Sequence, residues 1–147
     1  MTLSTTAASA PVPAAPATLR DTPTGNALAF AGRVLIAAIF VLSGLSKVTA
    51  PAATIGYIES AGLPFAQAAL ALAVLVELGG GLALIAGYRV RLVALLLAGF
   101  SLVTAFAFHG AIGDQNQFIH FFKNVAMAGG LLQVAAFGGG RIAFHRD

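Results

Sequence analysis

Cysteine is absent from this 147-residue chain, and charge is scarce, with eight Lys and Arg against five Asp and Glu. The missing cysteine excludes disulfides, thiolate metal ligands, iron–sulfur clusters and thiol redox chemistry on the chain itself. Any redox role must therefore draw on a bound molecule or a partner. The formal charge of +3 is spread as single residues and one pair, Arg89 and Arg91, so there is no clustered basic face for nucleic acid. No cleaved leader is expected: the first ten residues carry no basic side chain, and no apolar run begins until after Gly25. The first apolar segment is thus expected to stay in the mature protein. No metal site is expected, because His109 and His120 stand apart across a turn with no further ligand placed by spacing.

What the sequence does hold is apolar: 59% of its residues are hydrophobic, a composition that suits a bilayer rather than water. Residues 1–25, rich in Ala, Pro and Thr, lack the apolar content to bury a core and read as a disordered tail. Four apolar segments follow, Ala27–Leu45, Pro64–Ala86, Val90–Phe108 and Phe118–Phe137. Each approaches the roughly 20 residues that cross a hydrocarbon core of about 30 Å. Ser60 to Val76 and Leu92 to Phe108 carry no charge at all, which argues against a water-soluble four-helix bundle.

The expected fold is an all-α integral membrane protein, an antiparallel bundle of four transmembrane helices spanning residues 26–141, with a short C-terminal tail at 142–147. The links Gly87-Tyr88-Arg89 and His109 to Gln117 are short, which makes neighbouring helices antiparallel. In "TAPAATIGYIESAGLP", Pro51 and Pro64 bracket apolar residues at near-helical spacing, so a short interfacial helix is expected between helices one and two. Arg20, Arg89, Arg91, Arg141 and Arg146 fall on the side of the termini, and Arg33 leans to it, against Lys47 and Lys123 opposite; both termini are expected in the cytoplasm. This asymmetry also speaks against a dual-topology small multidrug transporter. A faint echo between "VELGGGLALIAG" (76–87) and "VAMAGGLLQVAAFG" (125–138) is no stronger than chance similarity among Ala, Gly and Leu.

Polar residues inside these spans are the candidate functional groups, since each is costly in lipid without a partner. Arg33 lies about 9 Å inside the start of helix one and Glu77 about 13 Å above the end of helix two at 1.5 Å per residue. An intramembrane Arg33–Glu77 ion pair is therefore expected, with Gly79, Gly80 and Gly81 beside it serving close helix packing. At the other end, Ser43 and Lys47 share one face of helix one. "QFIHFFKN" (117–124) sets His120, Lys123 and Asn124 on one face of helix four, with Gln117 a turn earlier and His109 at similar depth.

These groups are expected to converge on a polar cavity. A buried Lys can donate hydrogen bonds to a quinone carbonyl, and His can pass the accompanying proton. Two simpler roles stand beside this one: Lys47 and Lys123 snorkelling to headgroups, and Phe118, Phe121 and Phe122 packing or facing lipid.

"GRVLIAAIFVLSGLSKVTAPAATIGYIESAGLP", "VELGGGLALIAGYRVRLVALLLA" and "QFIHFFKNVAMAGGLL" together resemble the DoxX family of small bacterial membrane proteins, over about residues 27–141. The resemblance rests on the Ser43 to Lys47 end of helix one, Glu77 followed by glycines, the basic turn at Arg89 and Arg91, and the Phe118 to Asn124 segment. It implies a multi-pass bacterial inner-membrane protein grouped with oxidoreductases and related to a membrane subunit of archaeal thiosulfate:quinone oxidoreductase. It also implies a setting in thiol and oxidative-stress defence or sulfur-compound oxidation.

Carried over by position, the residues it points to are Arg33, Ser43, Lys47, Glu77, Lys123 and Asn124. The expected cofactor is a non-covalently bound quinone, and the expected partners are membrane lipid, a soluble or membrane redox protein and further copies of the chain. The alternatives are a small-solute or proton-linked transporter working through Glu77, and a non-catalytic membrane anchor or assembly factor.

Overall fold

The computed structural model describes residue 19 and residues 22–144; most of the expected tail at 1–25, with Arg20, and the last part of the expected tail at 142–147, with Arg146, lie outside the described residues. Every regular element among the described residues is helical. Helix α1 spans Pro23–Thr49. The Thr22 hydroxyl caps it by accepting from the amide of Gly25 at 3.1 Å, and Pro23 fits the first turn, where no amide hydrogen is needed. It therefore begins inside the stretch expected to be tail. It stops at Ala50 because Pro51 cannot continue the ladder, and Pro51 in turn starts α2, Pro51–Ser60, the short helix anticipated between the first two spans.

Helix α3 spans Ala66–Ala86 and is not regular: Leu75–Gly79 forms a π-helical turn in its middle. The helix ends at Gly87, whose φ of 75° is a left-handed cap, with the Tyr88 amide donating back to the Ala83 carbonyl at 2.9 Å. Helix α4, Val90–His109, follows at once. Helix α5, Gln115–Phe137, starts where the Asp114 carboxylate accepts from the Gln117 amide at 2.9 Å.

By length and hydropathy, α1, α3 and α4 are long and apolar enough to cross a membrane. Helix α5 has the length, but His120, Lys123, Asn124 and Gln133 dilute its hydropathy. The core lies where α1, α3, α4 and α5 meet and is built of small and aliphatic residues such as Ala37, Ala94, Leu84, Leu97 and Leu131. Gly80 packs on Leu97 and Gly81 on Val41 and Ala37, so these two glycines serve close packing, as expected, whereas Gly79 meets only Leu75 of its own helix. Outside the core, large apolar side chains face outward, among them Leu35, Leu75 and Phe106, each more than two-thirds exposed. In water such a surface would drive association; in lipid it costs nothing.

Candidate functional site

Lys47 lies near the end of α1, and its side chain leans back toward the start of that helix, as helical side chains do. It thus points inward, over Ser43 one turn earlier. Its ammonium donates to the Ser43 hydroxyl at 2.8 Å and to Glu77 Oε1 at 3.0 Å, and it lies 2.9 Å from Glu77 Oε2. The Ser43 hydroxyl donates to the same Oε1 at 3.2 Å. Glu77 is 5% exposed and sits in the π turn of α3, where the chain carries one residue more than a regular helix would. Its Oε2 has no directed hydrogen-bond donor.

The expected Arg33–Glu77 pair is therefore replaced by Lys47–Glu77. The cause is side-chain direction: Arg33 leans toward the start of α1, away from Glu77, and its guanidinium donates to the Ile142 carbonyl. The same geometry answers the snorkelling alternative for Lys47, which is held inward by a carboxylate.

Close approach of α1 and α3 at this point depends on Gly44. A Cβ there would lie 2.7 Å from Leu78 Cγ and 3.2 Å from the Leu78 amide nitrogen, next to Glu77 in the chain. Ser43 and Lys47 flank Gly44, so the contact that seats α1 on the π turn also brings their polar atoms to the carboxylate.

The second polar group comes from the facing ends of α4 and α5. The Lys123 ammonium lies 3.0 Å from His120 Nδ1. An ammonium has no acceptor, so Nδ1 accepts and His120 is neutral with its proton on Nε2. The His109 ring stacks on His120 with centroids 5.1 Å apart, and its Nδ1 donates to Gln117 Oε1 at 2.8 Å. Asn124 makes no side-chain hydrogen bond among the described residues. Phe121 contacts Phe106 edge to face at 5.1 Å, which ties α5 to α4 outside the cavity, and Phe118 packs on Phe122 within α5.

Both groups open on one cavity of about 710 Å³. Ser43, Lys47, His109, His120, Lys123 and Asn124 all line it, together with Glu77, and the rest of its wall is mainly apolar. Arg33 does not line it. Helix α2 closes one side: Ile58 is buried, and Tyr57 stacks on Phe108 of α4 with ring centroids 5.3 Å apart. The π turn, the stacked histidines and the Tyr57–Phe108 contact were not anticipated. The last had a sequence signal, an aromatic on the short helix facing the end of a span, and so did the histidines, which were expected at similar depth though not stacked. The cavity's size falls in the range of small-molecule sites, roughly 300 to 1,000 Å³, which are apolar with a few polar groups.

The sequence model described as DoxX matches residues 28–110. Inner membrane protein YqjF of Escherichia coli K12 is 39% identical over 114 residues, covering 78% of this chain and 86% of that protein. Inner membrane protein YphA of the same organism is 31% identical over 121 residues, covering 78% of this chain and 85% of that protein. No solved structure matches the chain.

Proposed function

The chain belongs to the DoxX family and is a multi-pass membrane protein, and from that premise we propose that it is a quinone-binding subunit of a redox complex in the bacterial inner membrane. Helix α5 serves as the fourth span of an antiparallel bundle, α2 lies at the interface on the far side, and both termini face the cytoplasm. The observation that carries the reading is the meeting of two polar groups, Ser43–Lys47–Glu77 and His109–His120–Lys123–Asn124, on one otherwise apolar cavity. A quinone head is a flat apolar ring with a carbonyl at either end, which suits such walls. Lys123 and the Asn124 amide are donors for one carbonyl, and Lys47 is a donor for the other.

A bound quinone supplies a two-electron, two-proton couple. The electrons come from a partner redox protein, because the chain has no cysteine to carry them. His120, neutral and hydrogen-bonded to Lys123, can pass one proton, and the Lys47–Ser43–Glu77 triad can hold another.

The test is quinone content and titration of a short-chain quinone in protein purified gently from its native membrane, wild type beside Lys123→Ala, with co-purifying proteins identified. Lys123 is exposed and, among the described residues, bonds only His120, so the variant should accumulate normally. Loss of binding at normal expression is expected; binding equal to wild type overturns the assignment.

A second reading, proton-linked transport of a small solute, draws on the buried carboxylate of Glu77 at the cavity wall. It requires uptake driven by a pH gradient in proteoliposomes that Glu77→Gln abolishes.

A further inference from the structure

Arg33 lies at the opposite end of the bundle from the cavity and plays no part in the proposed quinone chemistry. Its side chain is 1% exposed. Of its polar atoms, Nη2 donates to the Ile142 carbonyl, while Nε and Nη1 have no hydrogen-bond partner among the described residues. The ring of Phe30 lies 5.6 Å from the guanidinium carbon. Among the described residues the carboxylates are Glu59, Glu77 and Asp114, and none of them pairs with it: Glu77 is bound to Lys47, and Asp114 caps α5 at the far end. A buried guanidinium served by one backbone carbonyl is a costly arrangement, because a desolvated charge needs a counter-charge and a full set of acceptors.

What buries it is the segment after α5. Gly138 and Gly140 have φ of 77° and 71°, which turn the chain back across the end of the bundle. The Arg141 amide donates to Asn26 Oδ1 at 2.7 Å and the Phe144 amide to the Ala86 carbonyl at 3.1 Å, so residues 138–144 lie as a strap from α1 to the end of α3. The fit around the guanidinium is tight enough to require glycine on both sides. A Cβ at Gly139 would lie 2.7 Å from Arg33 Nη1, and one at Gly87 would lie 2.8 Å from the same atom.

We propose that Arg33 is a phosphate-binding site covered by the 138–144 strap, in which the Ile142 carbonyl holds the place that a phosphate oxygen takes when the strap lifts. Two forks of a guanidinium can grip an oxyanion through paired N–H bonds, Nε with Nη2 and Nη1 with Nη2, and both share Nη2. That is the nitrogen the Ile142 carbonyl occupies. The carbonyl takes one N–H of that nitrogen, and the strap buries the other donors, with Gly139 packed against Nη1, so a phosphate reaches either fork only when the strap lifts. A phosphate oxyanion brings a counter-charge that no described residue supplies, and enough acceptors for Nε and Nη1. The phosphate can come from an anionic lipid headgroup or from solution. By linkage, whichever binds Arg33 must open the strap.

The experiment is amide hydrogen exchange over residues 140–144 of the full chain in maltoside micelles free of phosphate. Three conditions are compared at equal ionic strength: sodium chloride alone, sodium phosphate, and sodium chloride with phosphatidylglycerol mixed into the micelle. Exchange at Arg141 and Phe144 should accelerate by about 5- to 150-fold, the usual range for two coupled equilibria. Acceleration by phosphatidylglycerol alone identifies a lipid headgroup; acceleration by phosphate as well, or by phosphate alone, identifies a site open to the soluble anion. No acceleration in either condition overturns the proposal, as does acceleration that persists in Arg33→Gln.

Because Arg33→Gln could disturb folding, Gly139→Ala provides an independent check that leaves the guanidinium in place. Its methyl should lift the strap without any anion, so that exchange in chloride alone is already fast and less phosphate saturates the site. Wild-type exchange in Gly139→Ala would show that the strap does not close on Arg33, and would overturn the proposal.

Discussion

Lys47 Nζ lies 3.0 Å from one oxygen of Glu77 and 2.9 Å from the other, so a single ammonium straddles a carboxylate presented by the irregular turn of a neighbouring helix. The pair is unequal in burial, with 23% of the Lys47 side chain accessible against 7% for Glu77. Glu77 therefore depends on Lys47 more than the reverse.

Removing one partner should cost more than removing both. Lys47→Met alone leaves a buried carboxylate without its counter-charge and should destabilise the protein by about 2 to 4 kcal/mol, near the range for broken buried pairs. Lys47→Met with Glu77→Gln should recover more than half of that loss. Thermal unfolding of the four proteins in one detergent, treated as a double-mutant cycle, gives the coupling directly. Additive losses would mean that the pair is not coupled.

Gly44 should tolerate no side chain, and Gly32 should welcome one. Gly44→Ala forces a methyl against the Leu78 side chain and amide, at a cost of about 1 to 3 kcal/mol for overpacking. Gly32 has nothing within 4 Å of the corresponding position, and Gly32→Ala should stabilise the helix by about 0.5 to 1 kcal/mol. Thermal midpoints in detergent check both. Gly44→Ala should also weaken quinone binding, since it separates Lys47 from Glu77.

Closure of the cavity by α2 should depend on the ring of Tyr57 and not on its hydroxyl. Tyr57→Phe keeps the stack on Phe108 and should leave exchange of the α2 amides unchanged. Tyr57→Ala should speed it by roughly 2- to 13-fold, the equivalent of an aromatic pair worth about 0.5 to 1.5 kcal/mol. Equal exchange in all three proteins would show that the stack does not hold α2.

Orientation can be tested without engineering any background, because there is no native cysteine to remove. A cysteine at Gly113, on the α4–α5 link, should react with a membrane-impermeant maleimide from outside the cytoplasmic membrane. One at Arg89, on the α3–α4 link, should react only after permeabilisation. The reverse pattern would place both termini outside.

The helices of this protein were legible in its sequence because their signals are long: unbroken apolar runs, Pro51 and Pro64 as breaks, and Gly87 as a stop. The set of residues on the cavity was legible too, since six polar side chains on apolar helices had few places to go. Their pairing was not. Depth counted along the backbone matched Arg33 with Glu77, whereas the lean of helical side chains turns Arg33 toward the end of the bundle and Lys47 toward its middle by the same rule. The π turn at Leu75–Gly79 left no trace in composition, because its five residues are ordinary helix formers and a glycine. The strap was also hidden: residues 142–147 were expected only as a short tail, whereas the fold turns the chain at Gly138 and Gly140 and brings it back over Arg33.

That π turn has a consequence for how this membrane protein can gain or lose its site. Deleting a single residue from Leu75–Gly79 would leave α3 apolar and still about 20 residues long, so insertion and topology would survive. Because a π turn takes up its extra residue within one widened turn, the Ala66–Val74 and Gly80–Ala86 halves would keep nearly their present orientation, and Ala69, Leu72 and Ala73 would still wall the cavity. What would be lost is the widened turn that presents Glu77 to Ser43 and Lys47. One codon thus separates a chamber with this carboxylate seated in its wall from one without it, and the two would be indistinguishable by length and hydropathy.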